Sequence, residues 1–343
     1  MESIDIHLRG VGTVLPGPPL DVASLAKRFG MTETWRRWVD TFIGTRTRHL
    51  ALDLDTGEVA QTLADLAEGA AAQALAATGL GPADVDLMVM GTSTPDQLMP
   101  ATVNLVADRL GIDRIPTYQM QSGCSGAIQA LDVARQLLLA GRHRTALVIG
   151  GDTVAKHADL RMDLQRLDPA QLVNVVMFGD GAGAAVLSTV PGPGSVLLRE
   201  AFVELNGLGR EPGHVVEWFG LRDRHLGLSA GAEDYKAIEA RVPELAAEIL
   251  TTLLDGLGWV PSDLDYLLPP QLSGRMTAKI VGHLGIPDAR EVSCVTETAN
   301  TGNALPFFQL QMLLPQMQSG ERALGIAVES SKWIKAGYAL EKL

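Results

Sequence analysis

Cysteine is scarce in this chain, with only Cys124 and Cys294 in 343 residues. Two thiols supply neither a framework of paired bridges nor a metal-ligand spacing, which excludes disulfide-stapled and zinc-built folds. Positive charge is also short: 28 Lys and Arg face 40 Asp and Glu, for a net charge of −12. Nucleic acids and anionic membranes attract proteins through an excess of Lys and Arg, so neither is expected as the main partner. Long apolar runs are missing. Stretches such as Leu137 to Ala140 and Ala146 to Ile149 fall far below the roughly 18 residues that a bilayer span needs. The opening Met1-Glu2-Ser3-Ile4-Asp5 is acidic and lacks the basic and apolar regions of a secretion signal. These absences predict a cytoplasmic protein with both cysteines as free thiols. What is present is 46% hydrophobic residues, enough for a large core in two structural halves or one large α/β unit.

An internal repeat organises the chain. Gly79-Leu80-Gly81-Pro82-Ala83-Asp84-Val85-Asp86-Leu87-Met88-Val89-Met90 returns in altered form as Gly256-Leu257-Gly258-Trp259-Val260-Pro261-Ser262-Asp263-Leu264-Asp265-Tyr266-Leu267-Leu268. Each copy reads as a helix stop, a turn and a buried strand. Downstream, a turn of small residues enters an apolar helix in both copies: Gly123-Cys124-Ser125-Gly126-Ala127 before Ile128 to Leu139, and Thr301-Gly302-Asn303-Ala304 before Leu305 to Met317. Each helix feeds a strand, at Arg144 to Gly150 and at Arg322 to Val328. The pattern predicts two βαβ-rich halves, 1–190 and 195–343, each with a mainly parallel sheet. The join falls at Pro191-Gly192-Pro193-Gly194, too short for a flexible linker. Tight packing about a pseudo-twofold axis would bring the Cys124 turn and the Asn300 to Asn303 turn together at a cleft.

Cys124 lies in Ser122-Gly123-Cys124-Ser125-Gly126-Ala127, at the start of an apolar helix. The helix dipole and its unpaired N–H groups favour a thiolate and offer a backbone donor to an oxyanion. The alternative for a lone cysteine is a buried structural thiol. Cys294, within the alternating Glu291-Val292-Ser293-Cys294-Val295, reads as core packing in a strand. Phe178-Gly179-Asp180-Gly181-Ala182-Gly183-Ala184-Ala185-Val186-Leu187 carries the glycines of a phosphate loop, but they precede a strand instead of following one. A bend that lets backbone pack closely beneath the Cys124 turn is the expected role.

The Cys turn, the Phe178 to Leu187 segment, and Arg9-Gly10-Val11-Gly12-Thr13-Val14-Leu15-Pro16 with Arg46-Thr47-Arg48-His49 together resemble the ketoacyl-ACP synthase III family. The resemblance runs over essentially the whole chain. It implies a thiolase fold, the duplicated βαβ architecture packed as five αβαβα layers, and a Cys, His and Asn site. In that family the Cys takes an acyl group while His and Asn promote decarboxylation of a malonyl extender. Carried over, the nucleophile is Cys124. The Asn matches Asn300 by its Asn-Thr pair, with Asn303 the other candidate. The family's Pro-His-Gln-Ala-Asn segment corresponds to Pro269-Pro270-Gln271-Leu272-Ser273, which puts Pro270 at the histidine and Ser273 at a second asparagine.

Proline can neither donate a hydrogen bond nor take a proton, so decarboxylation loses enolate stabilisation of about 2.7–4 kcal/mol for a missing oxyanion donor. Acylation of Cys124 survives, because the displaced carrier thiol is a good leaving group. The resemblance further implies a homodimer in which a neighbouring loop, with Met99 at its tip, closes the acyl pocket. It places Trp38 and Arg275 near a coenzyme A donor, although Phe42 and Leu172 stand where further arginines are expected. A phosphopantetheine arm on an acyl carrier protein is then favoured, with Arg36, Arg37 and Arg275 as contacts. The closing strand, glycine-rich in the family, reads Glu329-Ser330-Ser331-Lys332-Trp333 here. Its backbone N–H groups at Ser330 or Ser331 are candidates for the second oxyanion donor, and Glu329 or Lys332 for an acid or base.

The expected activity is an acyltransferase that loads Cys124 from an acyl carrier protein or acyl-CoA. It passes the acyl group to an O, N or activated C nucleophile of a small acceptor, in polyketide or other specialised metabolism, with no bound cofactor or metal. A ketoacyl synthase condensation and a non-catalytic thiolase-fold partner are the competing readings.

Overall fold

The apolar strands Thr145–Asp152 and Gly181–Ser188 are buried along their full length, as strands covered on both faces must be. They belong to a ten-stranded sheet in a computed structural model that describes residues 4–157, 164, 169–218, 223–226 and 231–343. In chain order its strands are β1 (His7–Val14), β4 (Leu87–Gly91), β5 (Thr117–Met120), β6 (Thr145–Asp152), β7 (Gly181–Ser188), β8 (Val196–Leu205), β11 (Tyr266–Leu268), β12 (Arg290–Glu291), β13 (Arg322–Glu329) and β14 (Ile334–Glu341). Two small ribbons complete the described strands, one of β2 (Leu20–Asp21) with β3 (Thr47–Arg48), the other of β9 (His214–Val216) with β10 (Gly231–Glu233).

The sheet order is β12-β11-β13-β14-β8-β1-β7-β6-β4-β5. Read outward from its centre, the two flanks match strand for strand, so the sequence repeat is a structural duplication. The flanks meet through a short antiparallel pairing, His7 with Leu197 and Leu8 with Val196, extended by the Leu198 N–H donating to the Ile6 carbonyl. The expected mainly parallel sheet holds for the outer three strands of each flank. Nearer the axis β6, β7 and β1 run antiparallel, as do β13, β14 and β8. The inner strands are joined by direct returns such as the turn between β13 and β14, which force that reversal.

Helices form three layers around the two half-sheets. Leu63–Thr78 covers β1 and β7 on one outside face, burying an alanine stripe, and Tyr235–Leu257 covers β13 and β14 on the other. Between the half-sheets, Gly126–Leu139 packs on β4, β6 and β8, while Leu305–Leu313 packs on β1 and β7. Ile128, Leu131, Phe307 and Leu310 share one core with Val148, Leu187, Tyr338 and Leu340. This is the αβαβα order, with the two helices that begin at the Cys124 and Asn300 turns in the central layer. The second helix ends at Leu313, short of the predicted Met317.

Cys294 is buried as predicted, but not in a strand. β12 stops at Glu291, and Cys294 caps the short helix Val295–Thr298, where its N–H donates to Gln271 Oε1 at 2.6 Å.

Candidate active site

The Cys124 turn is a single 3-10 turn, Gly123–Ser125, leading into the helix Gly126–Leu139. Gly123 adopts φ 47°, in the left-handed region that glycine enters without steric cost. A Cβ there would also sit 1.9 Å from Glu329 Oε2, so position 123 admits only glycine while Glu329 keeps its place.

Asn300 and Asn303 take separate parts. Asn303 is fully buried; its Oδ1 accepts from the Ala127 N–H at 2.8 Å, capping the first turn of the Cys124 helix. Its Nδ2 and backbone N–H donate to Asp152 Oδ2 at 2.8 and 2.9 Å. The Asp152 carboxylate also accepts from the N–H groups of Ser93 and Thr94 and the hydroxyls of Thr92 and Thr94. Burial nevertheless pushes the Asp152 carboxyl up. Asn303 is therefore fastened into the frame that joins the two central helices.

Asn300 instead lines a cavity of about 40 Å³ with Cys124, Pro270, Gln271, Leu305 and Val328. Its Oδ1 accepts from the Gly302 N–H at 3.0 Å, and its Nδ2 has no acceptor among the described residues. Backbone bonds hold it on both sides: its N–H donates to the Met177 carbonyl at 2.9 Å and its carbonyl accepts from the Gly179 N–H at 3.1 Å. Ala299, just before it, adopts φ 59° and ψ −172°. That region is essentially reserved for glycine, so strain of about 1–3 kcal/mol is stored next to the cavity. Sequence reasoning passed over Ala299, because nothing in its type betrays its backbone.

The glycine-rich segment serves the Asn300 turn, not the Cys124 turn as expected. A Cβ on Gly179 would meet the Thr298 carbonyl at 2.5 Å, and one on Gly183 would meet Phe307 at 2.3 Å. Asp180 ties loops together by accepting from the Ala51 and Ala155 N–H groups at 2.7 and 3.1 Å. Burial raises its carboxyl to about 6.

The expected thiolate is corrected most sharply. The Cys124 thiol is pushed well above its ordinary range, first by desolvation, then by the charges of Glu329 and Asp152, a hydrogen bond to Glu329, and the charge of Glu233. The donors that would have stabilised a thiolate are already engaged. Ala127 N–H is taken by Asn303, and Cys124 N–H donates to Glu329 Oε2. The other Glu329 oxygen accepts from Ser331 N–H at 2.6 Å, so that expected oxyanion donor is engaged as well. Ser330 uses its carbonyl to accept from Gly213 N–H at 2.9 Å. Glu329 ends β13, is 2% exposed, and has no Lys or Arg partner among the described residues. Lys332 points elsewhere, donating to the Arg210 carbonyl at 2.7 Å.

No histidine lines the cavity. His214 pairs with Glu233 at 3.3 Å, His225 is exposed, and His49 contacts the Pro16 and Gly17 carbonyls. Ser273 is a helix cap: its Oγ accepts from Met276 N–H at the start of Gly274–Leu284, which accounts for it without a substrate. Pro270 spends its carbonyl on Thr277 Oγ1 at 3.2 Å. Trp38 packs partly buried against Trp35, Val39 and Ile43 and lies 6.4 Å from the exposed Phe42 ring. Arg275 is exposed beside Gly44, whereas Arg36 and Arg37 both face Glu33. Met99 is 87% exposed and lies outside the cavity of the single chain. Among the described residues no three His, Cys, Asp or Glu converge as a metal site, and no helix is long and apolar enough to cross a membrane.

A duplicated αβαβα body with a cysteine at a central helix start defines a thiolase-fold protein, and comparison with known proteins agrees. Residues 118–203 match the 3-oxoacyl-[acyl-carrier-protein (ACP)] synthase III model and residues 254–330 match the model of its C-terminal part. The β-ketoacyl-[acyl-carrier-protein] synthase III of Rhodospirillum centenum is 33% identical over 299 residues, covering 86% of this chain and 85% of that protein. The chain belongs to the ketoacyl-ACP synthase III family. Among solved structures, AbyA1, described as a tetronic acid condensing enzyme, is 58% identical with a TM-score of 0.95, covering 98% of this chain and 99% of that one. The priming β-ketosynthase of the R1128 polyketide pathway is 25% identical with a TM-score of 0.80, covering 99% and 97%.

Proposed function

We propose that this chain is an acyltransferase that draws an acyl group from a phosphopantetheine thioester onto Cys124 and passes it on without decarboxylating a malonyl extender. The observation that carries this reading is the composition of the cavity: Cys124 and Asn300 share it with Pro270, and no imidazole reaches it. A malonyl-derived enolate needs donors aimed at its oxygen, and this cavity offers two free side-chain amides, on Asn300 and Gln271, with no imidazole between them. Acyl exchange between thioesters demands less, since a thiolate leaves readily.

The acceptor is an oxygen, nitrogen or already acidic carbon nucleophile, and the likeness to a tetronic acid condensing enzyme narrows it. A tetronic acid is a lactone carrying a β-dicarbonyl carbon, so its assembly requires both a carbon–carbon and a carbon–oxygen bond. A β-ketoacyl thioester supplies a carbon acidic enough to react without loss of carbon dioxide. On this reading the chain works in polyketide or related metabolism, in the cytoplasm, with an acyl carrier protein as donor in preference to coenzyme A. Phe42, exposed where an arginine would grip a nucleotide phosphate, supports the carrier. The protein acts as a homodimer, since Leu98 and Met99 otherwise stand bare in water.

Intact-protein mass spectrometry with a panel of acyl carrier proteins and acyl-CoAs tests the reading. Wild type gains an acyl mass that Cys124→Ala does not, and releases carbon dioxide from malonyl carrier only at background. Rapid decarboxylation abolished by replacing Asn300 would return the chain to ordinary ketosynthase chemistry. Sedimentation as a monomer would remove the dimer.

A further inference from the structure

We infer that Glu329 is the proton-transfer group of this site and that, in the resting protein, its carboxylate occupies the backbone donors that the reaction needs. The inference rests on the proposed acyl transfer. A carboxylate 98% buried, with no Lys or Arg beside it among the described residues, is costly to keep unless its oxygens are satisfied and its position is used. Here one oxygen takes the Cys124 N–H and the other the Ser331 N–H. Gly123, by lacking a Cβ, makes the room for it. The same carboxylate, held on the Cys124 N–H and in the space over Gly123, brings its charge to bear on the Cys124 thiol and raises it. Asp152, at the end of β6, and Glu233, in the β9–β10 ribbon, are the other charges that bear on the thiol. Asp152 is saturated by Asn303, Ser93, Thr92 and Thr94, and Glu233 is paired with His214. Glu329 alone combines proximity to sulfur with donors it can release.

The step balances without a further reagent. As Sγ bonds to the thioester carbonyl carbon, its proton passes to Glu329. The neutral acid loosens its hold on the Cys124 and Ser331 N–H groups, which turn to the carbonyl oxygen as it becomes an oxyanion. Collapse breaks the bond to the donor sulfur, and the leaving thiolate takes the proton back from Glu329. In the second transfer the acceptor proton goes to Glu329, the acceptor bonds to the acyl carbon, and the Cys124 sulfur departs and receives that proton.

The test measures Cys124 alkylation by iodoacetamide across pH 6–10, and acylation by the small thioester S-acetyl-N-acetylcysteamine, in wild type, Glu329→Gln, Glu329→Asp and Glu329→Ala. Far-UV circular dichroism and thermal melts confirm the fold; should the alanine variant not fold, the near-isosteric glutamine variant carries the comparison. Removing the carboxylate lowers the thiol pKa, so the alkylation limb moves to lower pH. Below the limb the rate rises about threefold for each unit, the tenfold gain in thiolate being offset by its weaker nucleophilicity. Acylation meanwhile falls at least about 100-fold, the lower end of what a positioned general base contributes. Aspartate restores part of it.

An alkylation limb that stays where it is in wild type overturns the contact. A shifted limb with undiminished acylation overturns the proton-transfer role. Failure of wild type to acylate with any donor, while the limb still shifts, counts against the proposed acyltransferase activity and leaves the Glu329–thiol contact upheld.

Discussion

The two asparagines of the second repeat sit three residues apart, yet their bonding predicts opposite phenotypes. Replacing Asn303 with alanine removes the Nδ2 bond to the Asp152 carboxylate and the Oδ1 bond that caps Ala127. A hydrogen bond to a buried charge contributes about 1.5–3 kcal/mol and an ordinary one about 1 kcal/mol. The variant should therefore lose about 2.5–4 kcal/mol in urea denaturation, a large part of the net stability of a typical domain. Asn300→Ala gives up only one Oδ1 bond, to Gly302 N–H, and should lose about 1 kcal/mol while its backbone anchors persist. In mass spectrometry Asn300→Ala should still accept an acyl group on Cys124 but hand it on slowly, because the cavity keeps the Gln271 amide but loses the free amide of Asn300. Equal stabilities for the two variants, or undisturbed transfer by Asn300→Ala, would refute this division of labour.

Three further outcomes follow from individual contacts. Asp180 has a folded pKa raised from 3.8 to about 6 by burial, so folding takes up a proton; its contribution is full below about pH 4 and is lost as pH rises through about 6. Asp180→Asn should flatten the stability-versus-pH slope between pH 4 and 7 in guanidinium titrations by up to about 3 kcal/mol, whatever its absolute stability. Ala299→Gly should raise the thermal midpoint by relieving about 1–3 kcal/mol of strain, partly offset by unfolded-chain entropy; a lowered midpoint would mean the conformation costs alanine nothing. Ser273→Ala should cost about 1 kcal/mol as a lost N-cap and leave acyl-transfer kinetics unchanged.

Much of this molecule was legible in its residues. The repeat could be read because buried strands and small-residue turns leave a pattern that survives divergence, as in Leu87 to Gly91 against Tyr266 to Leu268. That the Cys124 and Asn300 turns meet at one cavity was legible for the same reason, each turn opening a helix of the repeat. The sign of the thiol shift was not. A helix N-terminus favours a thiolate only while its donors are free, and the groups that consume them, Asn303 and Glu329, lie 179 and 205 residues further on. The capping role of Ser273 was not legible, because a capping serine and a ligand-binding serine look alike in sequence. Glu329 stood as a bare alternative, since a carboxylate at a strand end is ordinarily solvated; its burial depends on a glycine in the opposite half of the chain.

The departures at Pro270 and Glu329 bear on one electrostatic problem. A site that builds an enolate from a malonyl unit must welcome negative charge, and neutral or cationic donors around sulfur do that. Here a donor-bearing side chain is lost at Pro270, while buried carboxylates at Glu329 and Asp152 both act on the Cys124 thiol. Such surroundings disfavour a lasting carbanion. They suit a reaction whose charge is transient and whose proton is removed as the bond forms, because a carboxylate that accepts the proton erases its own repulsion at that moment. Under the proposed function, an acceptor that brings its own proton, a hydroxyl or the acidic carbon of a β-dicarbonyl, suits that arrangement better than a malonyl unit, which must shed carbon dioxide and leave its electrons behind.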